Sequence, residues 1–164
     1  MALQVGDKAP DFTLPTKTAD GPKLVSLTDF IGKKNTLILF FPMAFTGVCT
    51  TEMCSVTQGL DAYASVNAEV LGISGDSPFA QEAWAQKEKI AVTLLSDYEH
   101  NVARAFGVAY DSFLPEKNLP MGGVSKRSAF IVDKLGVIQY AQVSESPKDL
   151  PDFEAISAKL AQLK

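Results

Sequence analysis

The sequence predicts an α/β fold, a mixed central sheet with helices on both faces. Three observations point there. Asn35-Thr-Leu-Ile-Leu-Phe-Phe41 is an unbroken apolar and β-branched run, the mark of a strand buried on both faces. Extended and helical patterns then alternate through Ala68–Ser74 and beyond. Near the end, two extended segments joined by Lys134-Leu135 give a hairpin signal, and a last helical pattern follows, so not every strand can be parallel.

Taken in order, Asp11–Pro15 is a short extended start and Thr16–Pro22 a turn-rich loop. Leu24–Leu27 is a strand candidate, with Ser26 or Thr28 capping a short helical turn. After Asn35–Phe41, Thr46 or Gly47 opens a helix to about Ala64. Ala68–Ser74 is the next strand. Asp76-Ser-Pro78 combines a cap with a proline at the helix start, and that helix runs through Trp84 to about Lys89. Val92–Leu95 is a short strand, and Asp97 caps a helix over Glu99–Phe106 that Gly107 ends. Asp111–Gly123 is a loop carrying Pro and Gly. The hairpin comprises Arg127–Asp133 and Gly136–Val143. In Pro151–Lys164, Phe153, Ile156, Leu160 and Leu163 share one helix face, which suits docking on the core. No boundary interrupts residues 1–164, so a single domain is expected.

Composition narrows the function classes. The chain is 46% hydrophobic and 21% charged, with a net charge of −4. Its lysines are interspersed with acids, which disfavours a nucleic-acid surface. The N-terminus lacks a basic flank followed by an apolar run, and the longest apolar run, interrupted by Pro42, is too short to span a bilayer. A cytoplasmic location without membrane insertion is therefore expected. In that compartment a cysteine pair is more often redox-active or metal-binding than a permanent crosslink. Two cysteines and the lone His100, in different regions, cannot build a standard four-ligand zinc site without carboxylates, so no metal is expected.

Both cysteines fall in FFPMAFTGVCTTEMC, Phe40 to Cys54. Cys49 sits just inside the expected helix start. First-turn amides such as those of Val48 and Cys49 have no intrahelical acceptor. They can stabilise either a thiolate or negative charge developing on a substrate oxygen. Read from position alone, Cys49 is also compatible with a small buried hydrophobe. Pro42 would end the strand and fix the loop. Thr46 is either an N-cap or a hydroxyl placed to bind a small polar substrate.

The segment FFPMAFTGVC resembles the active-site segment of the peroxiredoxins, the AhpC/TSA superfamily of thiol peroxidases on a thioredoxin-like fold. Its P-x-x-x-T-x-x-C motif is matched by Pro42, Thr46 and Cys49. Arg127 in SKRSAFIVD resembles the family's arginine at the start of a later strand, and GDKAPDFTLP its usual opening. The wording AFTGVC is similar to the alkyl hydroperoxide reductase E-like type. The Cys-x-x-x-x-Cys spacing is similar to the bacterioferritin-comigratory, or Q-type, group.

The resemblance implies a reaction that uses no metal, haem or flavin. Cys49 attacks a hydroperoxide and becomes a sulfenic acid. Thr46 orients the peroxide, and Arg127 keeps Cys49 ionised and holds both oxygens. Without the resemblance Arg127 would be taken for a surface ion pair. Glu52 either holds that arginine or is a favourable acid near the helix start.

Cys54 is open to two readings. On an intact helix the two Cα atoms stand roughly 8.6 Å apart, from a rise of about 7.5 Å and a rotation of about 140°. A disulfide needs less than about 7 Å. Either the first turns unwind and Cys54 resolves the sulfenic acid, with thioredoxin or a similar dithiol as reductant, or Cys54 is buried filler and an outside thiol or redoxin reduces Cys49 directly. The lack of a C-terminal cysteine departs from peroxiredoxins whose resolving thiol comes from a partner subunit. Homodimerisation through loops around the site is implied by the family. Met43, Phe45, Leu119 and Met121 are candidates for an apolar collar. A thiol–disulfide oxidoreductase is the rival on the same fold, although it would carry C-x-x-C.

Overall fold

The run Asn35–Phe40 forms β3, and every residue of it is buried. The computed structural model describes residues Met1–Lys164. Around β3 a five-stranded sheet is built from β4 (Ala68–Ser74), β5 (Thr93–Ser96), β6 (Ser128–Val132) and β7 (Ile138–Val143), in the order β5-β4-β3-β6-β7. Strands β3, β4 and β5 are parallel, whereas β6 and β7 are antiparallel to their neighbours. The sheet is mixed, as the hairpin signal required.

Alternation inside the apolar run divides the core. Leu37, Leu39 and Phe41 face one side with Met53, Val56, Trp84, Ile156 and Leu160. These come from α1 (Gly47–Gln58), α3 (Pro78–Glu88) and α5 (Phe153–Leu163). Ile38 and Phe40 face the other side with Leu14, Val25, Val102, Ala103 and Phe106. That second face is covered by α4 (Asn101–Phe106) and by a separate hairpin, β1 (Thr13–Thr18) with β2 (Gly21–Ser26). Helices thus lie on both faces, but the second carries one short helix.

Three expectations need correction. Thr16–Pro22 is not a loop: its ends belong to β1 and β2, and only the bend at Ala19-Asp20 turns. The long helix to Ala64 stops at Gln58, and α2 (Leu60–Ser65) follows after Gly59, a residue with low helix preference. The helix after β5 starts at Asn101, not Glu99. Asp97 still caps it, accepting from the Val102 and Ala103 amides at 3.1 and 2.8 Å. Asp152 caps α5 through the Ala155 amide. No helix is long and apolar enough to cross a membrane.

Candidate active site

The site lies where β3 ends and α1 begins, at the carboxyl end of a central strand. Ligand sites of open α/β sheets gather there. Pro42 is buried at the end of β3 and has no N–H to extend the ladder. The chain then bends through Met43, Ala44 and Phe45. Phe45 has φ 67°, a left-handed conformation uncommon for a bulky residue. Thr46 occupies the N-cap position, but its side chain makes no cap bond to the helix. Its Oγ1 donates to the Met43 carbonyl at 2.8 Å. The N-cap reading therefore holds for its position and not for its hydroxyl, whose lone pairs stay available. The Thr50 amide donates to the Thr46 carbonyl, while the amides before it, including those of Val48 and Cys49, precede the first full turn.

Cys49 is 1% exposed. Arg127, directly before β6, reaches it from across the sheet: Nη2 donates to Sγ at 3.0 Å. The same guanidinium donates through Nη1 to Glu52 Oε1 at 2.6 Å and through Nε to the Pro147 carbonyl at 2.9 Å. The fork is thus fixed on three sides, and Arg127 is 2% exposed. It is no surface ion pair.

Glu52 lies beyond the first turn of α1 and is fully buried, so of its two readings the structure favours the one in which it holds Arg127. Its Oε2 has no partner. Burial pushes the carboxyl up to about 7, against the pull of Arg127's charge and hydrogen bond. Burial also opposes the charge of Arg127, but Cys49 and Glu52 outweigh it and raise that group further. The guanidinium has three acceptors, whereas the carboxyl has one donor and an orphaned oxygen. Burial thus favours the neutral form of Glu52, while Arg127 is held charged by its acceptors.

Cys54 is on the same helix but not in this cluster. Its Sγ lies 3.6 Å from the Glu88 carbonyl at the end of α3, among apolar neighbours, and both cysteines are free. Trp84 is fully buried, with its ring 5.3 Å from that of Phe41. Its indole N–H donates to Thr50 Oγ1 at 3.1 Å. Of the proposed collar, Phe45 and Leu119 are exposed and Met43 and Met121 partly so. No three His, Cys, Asp or Glu side chains gather where they would hold a metal ion.

Sequence reasoning missed two partners of the site. The Pro147 carbonyl left no signal, because any residue supplies a carbonyl. Asp76 was hidden by its neighbour: in Asp76-Ser-Pro, Ser77 is the cap and accepts from the Ala80 amide. Asp76 turns the other way, and its Oδ2 accepts from the Ala44 amide at 2.8 Å.

A thioredoxin-like α/β sheet with a buried thiol at a helix start, faced by a guanidinium, defines a class of thiol-bearing domains. The AhpC/TSA family profile matches residues 5–141, and the chain belongs to this family of peroxiredoxins. It is 33% identical over 163 residues to alkyl hydroperoxide reductase E of Mycobacterium tuberculosis, covering 98% of each chain. It is 35% identical over 147 residues to the chloroplastic 2-Cys peroxiredoxin BAS1 of Hordeum vulgare, covering 85% of this chain and 66% of the relative. For the Spinacia oleracea counterpart the share is 52%, so the chain spans about half to two thirds of these chloroplastic relatives. Among solved structures, peroxidoxin BcpB from Mycobacterium tuberculosis superposes with a TM-score of 0.82 at 28% identity, covering 99% of each chain. Reduced 2-Cys peroxiredoxin from Plasmodium vivax gives 0.82 at 31% identity, covering 95% of this chain and 79% of the other.

Proposed function

We propose that the protein is a thiol-dependent peroxidase that reduces hydrogen peroxide and organic hydroperoxides, with Cys49 as nucleophile. The observation that carries this reading is the 3.0 Å contact from Arg127 Nη2 to Cys49 Sγ, made by two buried side chains 78 residues apart. A cation with directed N–H groups on a sulfur favours the form that attacks.

The Cys49 thiolate attacks the terminal oxygen of ROOH. An S–O bond forms as the O–O bond breaks, sulfur is oxidised to the sulfenic acid, and RO⁻ leaves and takes a proton from solvent to give ROH. Charge develops on the departing oxygen. Donors fixed beforehand, the guanidinium and the amides at the start of α1, stabilise that charge without reorganising. Thr46 Oγ1 gives its proton to Met43, so it receives the peroxide O–H as an acceptor.

Cys54 then attacks the sulfenic sulfur, water leaves, and the disulfide is reduced by thioredoxin or another dithiol. This step requires the start of α1 to open, since the intact helix holds the Cα atoms roughly 8.6 Å apart. The contact between Cys54 Sγ and the Glu88 carbonyl favours a second reading, in which an outside thiol reduces Cys49 directly. Exposed Phe45 and Leu119, at 54% and 52%, suit a homodimer contact beside the site. Two free thiols suit a reducing, cytoplasmic compartment.

Stopped-flow mixing of reduced protein with hydrogen peroxide and with an organic hydroperoxide tests the reaction. Rapid single-turnover oxidation, lost in Cys49→Ser, is expected. Fast insulin disulfide reduction without peroxide turnover would favour the oxidoreductase reading. Intact mass after one equivalent of peroxide separates the two fates of Cys54: loss of two hydrogens marks the disulfide, gain of one oxygen the direct route.

A further inference from the structure

We propose that Asp76 is a positioning residue for this peroxidase site, acting through the backbone of the Met43–Thr46 bend; the proposal rests on the peroxidase reading of Cys49. The Ala44 amide sits in a bend with no ladder or helix partner, on a buried residue. Such a donor needs an acceptor. Asp76 Oδ2 supplies it at 2.8 Å.

The carboxylate is itself immobilised. Ser74 Oγ donates to the same Oδ2 at 2.6 Å and accepts from Gln81 Nε2 at 3.0 Å. The other Gln81 Nε2 proton goes to the Leu95 carbonyl at 2.9 Å. Ser96 Oγ donates to the Asp76 carbonyl at 2.6 Å. Ser74, Gln81 and Ser96 are buried, and each of their side-chain donors named here is committed. The end of β4, the start of α3 and the end of β5 therefore converge on one amide of the site loop.

What that amide controls lies directly after it. Phe45 is held in the left-handed region while half exposed. Little of its own packing enforces that conformation, so its neighbours must. Asp76 pins the residue before it, and the Thr46 hydroxyl ties back to the Met43 carbonyl. Together they set where Thr46 stands beside Cys49. Asp76 touches neither the sulfur nor the guanidinium, so it governs substrate geometry and leaves the nucleophile's own surroundings in place.

The experiment compares two reactions of Cys49 in wild type, Asp76→Ala, Asp76→Asn and Ser74→Ala: single-turnover oxidation by hydrogen peroxide, and alkylation by iodoacetamide, which needs no oriented peroxide. In Asp76→Ala peroxide oxidation should slow by roughly tenfold to a hundredfold, the scale of a misplaced reacting group. Alkylation should stay within about twofold. Asp76→Asn keeps an oxygen acceptor for the Ala44 amide and should restore the peroxide rate. Ser74→Ala, which removes a donor to the carboxylate and an acceptor of Gln81 but leaves the Ala44 contact, should shift the ratio in the same direction by less, and it carries the test if Asp76→Ala does not fold. An unchanged ratio of the two rates in Asp76→Ala or, failing that, in Ser74→Ala would overturn the proposal. So would an Asp76→Asn that is folded but as slow as alanine. Wild type inert to peroxide yet alkylated would instead overturn the peroxidase reading.

Discussion

Cys49 and Cys54 share one helix, five residues apart, and live in different chemical worlds. The first is sealed in, with a guanidinium on its sulfur and a buried carboxyl beyond that. The second is partly exposed and packed against apolar side chains, and its one polar partner is a carbonyl at the end of α3. The rotation of about 140° between them points one toward β6 and the other toward α3. A helix can thus give two thiols unlike surroundings by rotation alone, provided the cation comes from elsewhere in the sheet. On the proposed route through a disulfide, the start of that helix would have to open to bring them together.

The sharpest break of this contrast is to remove each sulfur in turn. Cys49→Ser should abolish peroxide consumption. Cys54→Ser should leave the first oxidation within about twofold and stop at a sulfenic acid trappable with dimedone. Equal loss in both variants would mean that the two environments are not functionally distinct. Next in size is the cation. Arg127→Gln removes the charge and the fork, and the peroxide rate should fall by roughly a hundredfold to a thousandfold, as for loss of a transition-state donor. Arg127→Lys should recover little, because a point charge does not span Cys49, Glu52 and Pro147 together.

A third test concerns the carboxyl behind the arginine. Burial raises Glu52 from 4.5 to about 7. The unfolded chain ionises this group first, so its contribution to stability is fullest below about pH 4.5 and is lost as pH rises toward about 7, with a limiting slope of about 1.4 kcal/mol per pH unit. Denaturant unfolding at several pH values should show that decline in wild type and a flatter profile in Glu52→Gln. A steeper profile in the variant would show that the pair with Arg127 outweighs burial.

These tests concern a cluster that the sequence revealed unevenly. The strand Asn35–Phe41 was legible because a two-faced strand needs no pattern beyond continuity. The α5 face was legible because Phe153, Ile156, Leu160 and Leu163 recur at helical spacing. The outer ends of the β1–β2 ribbon were legible in Asp11–Pro15 and Leu24–Leu27, but its inner stretch was not, since β2 is largely exposed and Thr16–Lys23 shows no apolar alternation. Cys49 at a helix start could be argued from local physics. Its meeting with Arg127 could not, because 78 residues separate them and only the family resemblance joined them. Asp76 escaped because an acid before Ser-Pro satisfies the local rule for a cap, and its actual acceptor role depends on a loop 32 residues away.

The smallest effect is expected at Trp84, and it bears on how the two thiols come together. The indole N–H holds Thr50 Oγ1, and Thr50 donates through both its hydroxyl and its amide to the Thr46 carbonyl. That chain ties the first turn of α1 to α3, across the segment that must open before Cys54 can reach Cys49. Trp84→Phe keeps a ring against Phe41 and removes only the donor. A neutral hydrogen bond contributes about 1 kcal/mol, which corresponds to roughly fivefold in an opening equilibrium. After one equivalent of peroxide, disulfide formation followed by quenched alkylation and mass should therefore accelerate by up to about fivefold, while the initial oxidation rate stays near wild type. Acceleration without the initial rate changing would locate the barrier between the two thiols in the first turn of α1. An unchanged rate of disulfide formation would place the opening elsewhere in the helix, beyond the reach of the indole.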